Sequence, residues 1–424
     1  MKVKSKLTKL EKSWILYDVG NSAFILLAST LLQVFFNDIA GDDLNIMAWW
    51  PFGNAIATAL VAIIGPICGT LADRPGFKKP MFFASVLLGA VSCMALGMAG
   101  SWQAFLVIYV FAKVGVSSSF VFYDAMLVEV TNPEKSDDVS SVGYACGYIG
   151  SVIPFIACLV FYVFQESLGL STQSLTLLCC AVTSIWWIVC TIPLLLRYKQ
   201  IASMQPKNKT PLRNTFGELA NTLRHARDHK NILLYLVAFF FFINGVYTII
   251  DSAATYGLAL GFDQVQLLLA LLLTQIIAFP ATIIFGKLSK NVPTGKLMRV
   301  CILSYTGVAI FAMFMVCQWQ FWLLAVLVGC FQGAIQALSR SYMSKIIPPE
   351  KSGSYFGLMD ICGKGATFLG SIVVGTLSTL LEDATIPKIF GLQLSNDNIA
   401  VGALVILFVV GYVIFCKADK LNQM

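Results

Sequence analysis

The chain has 424 residues, of which 58% are hydrophobic and only 12% charged, and its net charge is +7. A soluble globular chain carries about 25% charged residues, so this composition excludes an ordinary water-soluble fold and requires most of the surface to face lipid. The positive balance is not a nucleic-acid footprint, because the basic residues sit in the short breaks between long apolar runs.

Twelve such runs follow one another, at about 14–37, 47–71, 80–99, 102–128, 140–165, 174–196, 231–258, 264–286, 299–317, 319–341, 354–381 and 398–416. Nearly all reach the roughly 20 residues that cross a bilayer at 1.5 Å per residue. Without water to satisfy backbone amides the runs have to be helices, and they lack the alternating polarity of barrel strands. The predicted fold class is therefore an all-α membrane protein with twelve transmembrane helices in two pseudo-symmetric six-helix bundles. No charge marks the cuts at Gly100-Ser101 and Cys317-Gln318. The first run holds Asp18 and Asn21 and has no small-residue cleavage site, so it reads as a membrane helix rather than a signal peptide. With both termini and the even-to-odd loops on the cytoplasmic face, every lysine and arginine except Lys113, Lys364 and Lys388 belongs to that face, as the positive-inside rule requires.

The chain also repeats itself. Pro133-Glu134-Lys135-Ser136 returns as Pro349-Glu350-Lys351-Ser352, 216 residues on, in the break before span 11 as before span 5. Two joined repeats with a cavity at their interface are a common plan of secondary transporters. The repeat divides the chain into an amino-terminal bundle (1–197), a cytoplasmic linker (198–230) and a carboxyl-terminal bundle (231–424). Within the linker Phe216, Leu219, Ala220, Leu223 and Ala226 recur at helical spacing, which suggests a short helix on the membrane surface.

After span 2 the chain reads Gly69-Thr-Leu-Ala-Asp73-Arg74-Pro-Gly76-Phe-Lys78-Lys79. The glycines permit close helix packing and a tight turn. Asp73 can pair with Arg74 or Lys78, or face a helix amino terminus, where a carboxylate is favoured. The loop thus reads as a conformational latch of Gly69, Asp73, Arg74, Gly76 and Lys78, against the plainer reading of a basic inner loop. Its decayed copy after span 8 has Gly286 and then Lys290-Asn291 in place of the acid.

Charge inside the spans is the next signal: Asp18 in span 1, Lys113 and Asp124 in span 4, Asp251 in span 7, Arg340 in span 10, Asp360 and Lys364 in span 11. Burying each costs at least ~2.5–3.5 kcal/mol, so they should face the interior. Asp124 maps onto Arg340 under the repeat. Asp124, Arg340, Asp360 and Lys364, with Asp18 at the same depth, form a candidate cytoplasmic gate; static struts are the alternative. Lys113 lies near mid-membrane, with Asn21, Asn244, Gln332 and Gln336 as expected polar neighbours, and suits an anionic group such as a substrate carboxylate. Glycines on spans 5 and 11, among them Gly143, Gly147 and Gly357, let helices approach and slide. All twelve cysteines fall in apolar runs and read as packing residues. His225 and His229 share one loop without further ligands, so no metal site and no cofactor are expected.

Trp14-Ile-Leu-Tyr17-Asp18-Val-Gly-Asn21-Ser22-Ala23-Phe24 resembles the opening of span 1 in the vacuolar amino-acid effluxer family first linked to autophagy, within the major facilitator superfamily. Gly329-Cys-Phe331-Gln332-Gly333-Ala-Ile-Gln336-Ala337-Leu338-Ser339-Arg340-Ser341 is similar to the family's span 10, followed by Tyr355-Phe356-Gly357. Gly245-Val-Tyr-Thr248-Ile-Ile with Tyr256-Gly257 resembles its span 7, and the Gly69–Lys79 stretch matches the superfamily's signature loop. The resemblance implies export or exchange of amino acids or similar solutes by alternating access. Members often carry aspartate where this chain has Asn244; if that carboxylate takes the coupling proton, Asp251 must replace it.

Together these point to a monomeric, non-enzymatic secondary transporter of a small-molecule substrate, lying in a plasma or inner membrane or else a vacuolar or lysosomal one. Asp18, Asn21, Lys113, Asn244, Asp251, Gln332 and Gln336 are the expected substrate- and cation-binding set, with protons as the simplest coupling ion. No phosphate-cradling Gly/Lys loop argues for ATP use. A multidrug or other metabolite exporter on the same fold is the near alternative; a membrane receptor or enzyme is the distant one.

Overall fold

The computed structural model describes residues 6–41, 49–204, 229–380 and 394–423, and every regular element among them is helical. The first half contains α1 (Lys9–Ala28), α2 (Leu31–Ala40), α3 (Trp49–Ala72), α4 (Lys78–Leu96), α5 (Trp102–Val130), α6 (Ser136–Val163) and α7 (Thr172–Arg197). The second contains α8 (Lys230–Ala259), α9 (Gln264–Leu288), α10 (Thr294–Met313), α11 (Gln318–Ile346), α12 (Ser352–Leu380), α13 (Asn396–Gly402) and α14 (Leu404–Gln423). Among the described residues eleven helical stretches are long and apolar enough to cross a membrane; the predicted span 354–381 is the 29-residue α12. The candidate amphipathic helix of the linker and His225 lie outside the described residues.

Local chemistry sets the ends. Thr8 and Glu11 form a capping box, with the Glu11 amide donating to Thr8 Oγ1 at 3.1 Å and the Thr8 amide to Glu11 Oε2 at 2.6 Å. That start is five residues before the predicted one. Span 1 also breaks at Ser29-Thr30, where Thr30 Oγ1 turns back to bond the Leu26 carbonyl at 2.5 Å. This local competition with the backbone ladder splits the run into α1 and α2. The two uncharged cuts have helix caps: Ser101 Oγ accepts the Ala104 amide at 3.3 Å, and Gln320 Oε1 accepts the Cys317 amide at 2.8 Å. None of the twelve cysteines is in a disulfide; Cys317, at a helix boundary, is exposed and the others are buried or half-buried.

Each half has its own core. One gathers Trp14, Tyr17, Phe24, Phe122 and Trp187, the other Tyr235, Phe242, Tyr305, Tyr342 and Phe415. Large apolar side chains such as Ile63, Met98, Ile153, Leu196 and Ile406 stay exposed on the outside, as a lipid-facing surface requires. The halves meet through α3 against α12, α6 against α9 and α11, and α5 against α12. Their described mutual hydrogen bonds and ion pairs lie toward the end that carries both chain termini.

Candidate functional site

At the terminus-bearing end the halves are closed by Arg340 of α11, which is 2% exposed. Its Nη2 bonds Asp18 Oδ2 of α1 at 3.1 Å and its Nη1 bonds Asp124 Oδ1 of α5 at 3.2 Å. Nε donates to Ser140 Oγ of α6 at 2.9 Å, and Nη2 also to the Ser140 carbonyl at 3.1 Å. The guanidinium lies over the rings of Tyr144 at 4.3 Å, Trp14 at 4.5 Å and Tyr123 at 5.3 Å. Every one of these partners belongs to the first half, so the charge pairs cross between halves and do not brace one bundle internally. Asp360 of α12 sits close by, sensed by Asp124 and about 3.2 Å from where a Cβ on Gly65 would lie. The side chain of Lys364 lies outside the described residues.

The loop after α3 forms a second junction. Asp73, 1% exposed, accepts the Gly353 amide at 2.7 Å, the Ser354 amide at 2.9 Å and the Ser354 hydroxyl at 2.6 Å. Of its three expected partners it therefore takes the helix amino terminus, and the helix belongs to the opposite half. A carboxylate there satisfies amides that have no intrahelical acceptor. Burial pushes the Asp73 carboxyl up to about 6, against the pull of the Ser354 hydroxyl and amide, the nearby Lys78 charge and the Gly353 amide. Lys78 pairs with Glu129 Oε1 at 2.6 Å and donates to Ser352 Oγ at 3.2 Å. Arg74 is buried. Gly76 turns the loop at φ +76°. Gly69 is needed for a different reason: a Cβ on it would fall 2.3 Å from the Gly353 carbonyl oxygen, so only paired glycines let α3 and α12 touch backbone to backbone.

The start of the linker braces this loop. Gln200 Nε2 donates to the carbonyls of Ala72 and Arg74 at 3.0 and 2.9 Å, and the Met204 amide donates to the Asp73 carbonyl at 2.7 Å. Glu129 Oε2 in turn accepts the Tyr198 hydroxyl and the Ile201 amide, at 2.7 and 3.1 Å.

A third junction carries no motif in the sequence. Asp137, at the start of α6 and 4% exposed, accepts Lys345 Nζ at 2.5 Å, the Ser341 hydroxyl at 2.6 Å and the Thr294 hydroxyl at 2.7 Å. Beside it Lys290 pairs with Asp138 at 3.0 Å. In repeat register Lys290 stands where Asp73 does, and Asp137-Asp138 stand where Gly353-Ser354 do. The repeat-equivalent junction is thus present with its polarity reversed.

Deeper in, Lys113 of α5 donates to Asn54 Oδ1 of α3 at 2.6 Å, beside the Tyr109 hydroxyl on the same oxygen at 2.8 Å. Its ammonium is 5.7 Å from the Tyr109 ring centroid. Asn54, absent from the expected neighbours, is its hydrogen-bond partner; Asn21, Asn244, Gln332 and Gln336 make no described bond to it. Asn244 Oδ1 instead accepts Thr248 Oγ1 one turn on, at 3.3 Å. Asn21 and Gln332 are buried and Gln336 half-buried. Asp251 of α8 is exposed, and it and Lys113 sense each other's charge from opposite halves without forming an ion pair. Among the described residues no cluster of three or more His, Cys, Asp or Glu side chains could hold a metal.

Comparison with known proteins bears on the fold and the family. The chain is 35% identical over 418 residues to the major-facilitator-type transporter YxiO of Bacillus subtilis, covering 96% of this chain and 94% of that one. It is 26% identical over 275 residues to autophagy-related protein 22-2 of Aspergillus clavatus, covering 57% of this chain and 43% of that longer protein. In fold it is similar to the major facilitator FucP in its outward conformation (TM-score 0.69, 14% identity, 97% of each chain). It is also similar to a bacterial homologue of the iron transporter ferroportin in its outward-facing state (TM-score 0.68, 15% identity, 97% and 98% of the chains). The profile described as vacuole effluxer Atg22 like matches residues 36–420. The chain belongs to the Atg22-like family of multi-pass membrane transporters on the major facilitator fold.

Proposed function

We propose that this protein moves a small solute, of the amino-acid class, across a plasma membrane by proton-coupled alternating access as a monomer, with both termini in the cytoplasm. The observation that carries the reading is the Arg340 closure. One cation from the second half is held by Asp18 and Asp124 of the first, a set of contacts that has to break as a unit when two rigid halves rock. The face so closed is also the one that holds nearly all lysines and arginines, which supports a cytoplasmic assignment and an outward-open state. The bacterial relative supports the plasma membrane; the fungal ones keep the vacuole as the other setting.

On the open side Lys113 offers a charge to a substrate carboxylate, and Asp251, on the other half and within reach of its charge, offers the opposite sign to an ammonium or a proton. Asn21, Asn244, Gln332 and Gln336 supply neutral polar lining, and Asp18 is the second proton acceptor. The test is flux of labelled amino acids into proteoliposomes with and without a pH gradient. Uptake is expected in wild type and loss of at least 90% of it, roughly the tenfold that one lost charged contact commands, in Lys113→Ala at equal expression. Normal uptake in that variant removes Lys113 from the site. Movement of lipophilic drugs in place of amino acids identifies a multidrug exporter.

A further inference from the structure

The groups around Arg340 all belong to the first half. Trp14 and Tyr123 stack at 4.3 Å with their rings 14° apart. Each also bonds the other's backbone: Trp14 Nε1 donates to the Tyr123 carbonyl and the Tyr123 hydroxyl to the Trp14 carbonyl, both at 3.1 Å. These walls are fixed by contacts inside the first half and do not need the arginine. Gly143 keeps the floor open, since a Cβ there would stand 2.7 Å from Asp18 Oδ2 and 3.2 Å from Arg340 Nη2.

Four acceptor contacts meet the guanidinium edge: Ser140 Oγ at Nε, Asp124 at Nη1, and Asp18 with the Ser140 carbonyl at Nη2. That fork fits a planar guanidinium and leaves a compact ammonium with fewer aligned bonds; the aromatic faces add cation–π attraction.

We propose that this seat is a guanidinium-binding site in its own right, occupied by Arg340 while the halves are closed and open to a guanidinium-bearing solute when they part. Two carboxylates left within the spans without a cation are costly; a proton on Asp18 relieves one of the two charges, and a cation drawn from the aqueous face the seat opens onto relieves the other. That the seat empties in the natural cycle rests on the rocking motion proposed above. The experiment empties it by substitution instead, so a failed flux assay does not decide it.

Arg340→Ala and Arg340→Gln would be purified in detergent and melted with and without about 10 mM guanidinium chloride. That concentration is roughly ten times the ~1 mM dissociation constant taken for an untethered group. Guanidinium is expected to raise the midpoint of both variants by about 2 °C, to leave wild type unchanged, and to have no effect once Asp18→Asn is added. Ammonium chloride is expected to do less than half as much. No rise beyond that of wild type, an equal rise with ammonium, or failure of both variants to fold even with guanidinium present would each overturn the proposal.

Discussion

Asp73 carries a pH dependence that follows from its burial. Its carboxyl binds a proton more tightly in the closed junction, with a pKa of about 6, than in water, where the ordinary value is 3.8. The proton-linked part of its contribution to closure is therefore fully present below 3.8 and lost as pH rises through about 6, while the three hydrogen bonds that the carboxylate accepts remain. Raising the pH from 4 to 7 should loosen the terminus-bearing end, and Asp73→Asn should flatten that response. Asp73→Ala removes the acceptor of all three bonds. At ~1.5–3 kcal/mol for a hydrogen bond to a charged group, even one net loss should shift the closed population at least tenfold. Spin labels on the exposed Phe77 and Glu350 would report the distance; an unchanged distribution in Asp73→Ala would remove the latch role. The spacing from Gly69 to Lys79 announces this carboxylate in the sequence. Its choice of partner does not follow from the sequence, because Gly353 and Ser354 lie 280 and 281 residues away and their amides carry no side-chain signal. Asn54 is hidden for a similar reason: an asparagine in an apolar run does not say which lysine it holds.

Helices and their contacts carry the next layer. The apolar runs are legible because hydrocarbon leaves the backbone no other choice, and most predicted limits lie within a few residues of α3 to α12. The break at Ser29-Thr30 is not legible, since threonine inside an apolar run is ordinary until its hydroxyl is seen on the Leu26 carbonyl. Nor is the aromatic wall around Arg340, which needs α1, α5 and α6 set at one depth. The crossing of α3 and α12 allows a sharp test. Gly353→Val places a side chain where the Gly69 carbonyl oxygen is 2.3 Å from the new Cβ. If the contact opens during rocking, the variant should populate the conformation closed at the opposite end, with its melting midpoint within about 2 °C of wild type. If the contact is permanent, overpacking of ~1–3 kcal/mol appears as lost stability instead. Melting together with the Phe77–Glu350 distance separates the outcomes.

At the scale of the whole molecule the duplication supplies equivalent positions, and the halves fill them with complementary chemistry. Asp124 and Arg340, 216 residues apart, are repeat mates and bond each other. Asp73 caps a neutral helix start on one side of the pseudo-two-fold, while Lys290 and Lys345 meet acidic Asp138 and Asp137 on the other. The Asp137-Asp138 junction has no counterpart in the sequence reading, because only the folded halves bring Ser341, Lys345 and Thr294 against Asp137. Reversed polarity lets the halves attract at both junctions without making either half attractive to a copy of itself. If each half rocks as a rigid body, the two junctions have to open together, and weakening one must raise the open population of the other. Asp137→Asn should therefore increase hydrogen exchange at residues 353–356, beside Asp73, as much as at residues 138–141. Replacing a buried charge that accepts three donors should raise both by roughly tenfold or more. Exchange raised only around α6, with the α12 start still protected, would show that the junctions open separately and that the closure is a set of local contacts.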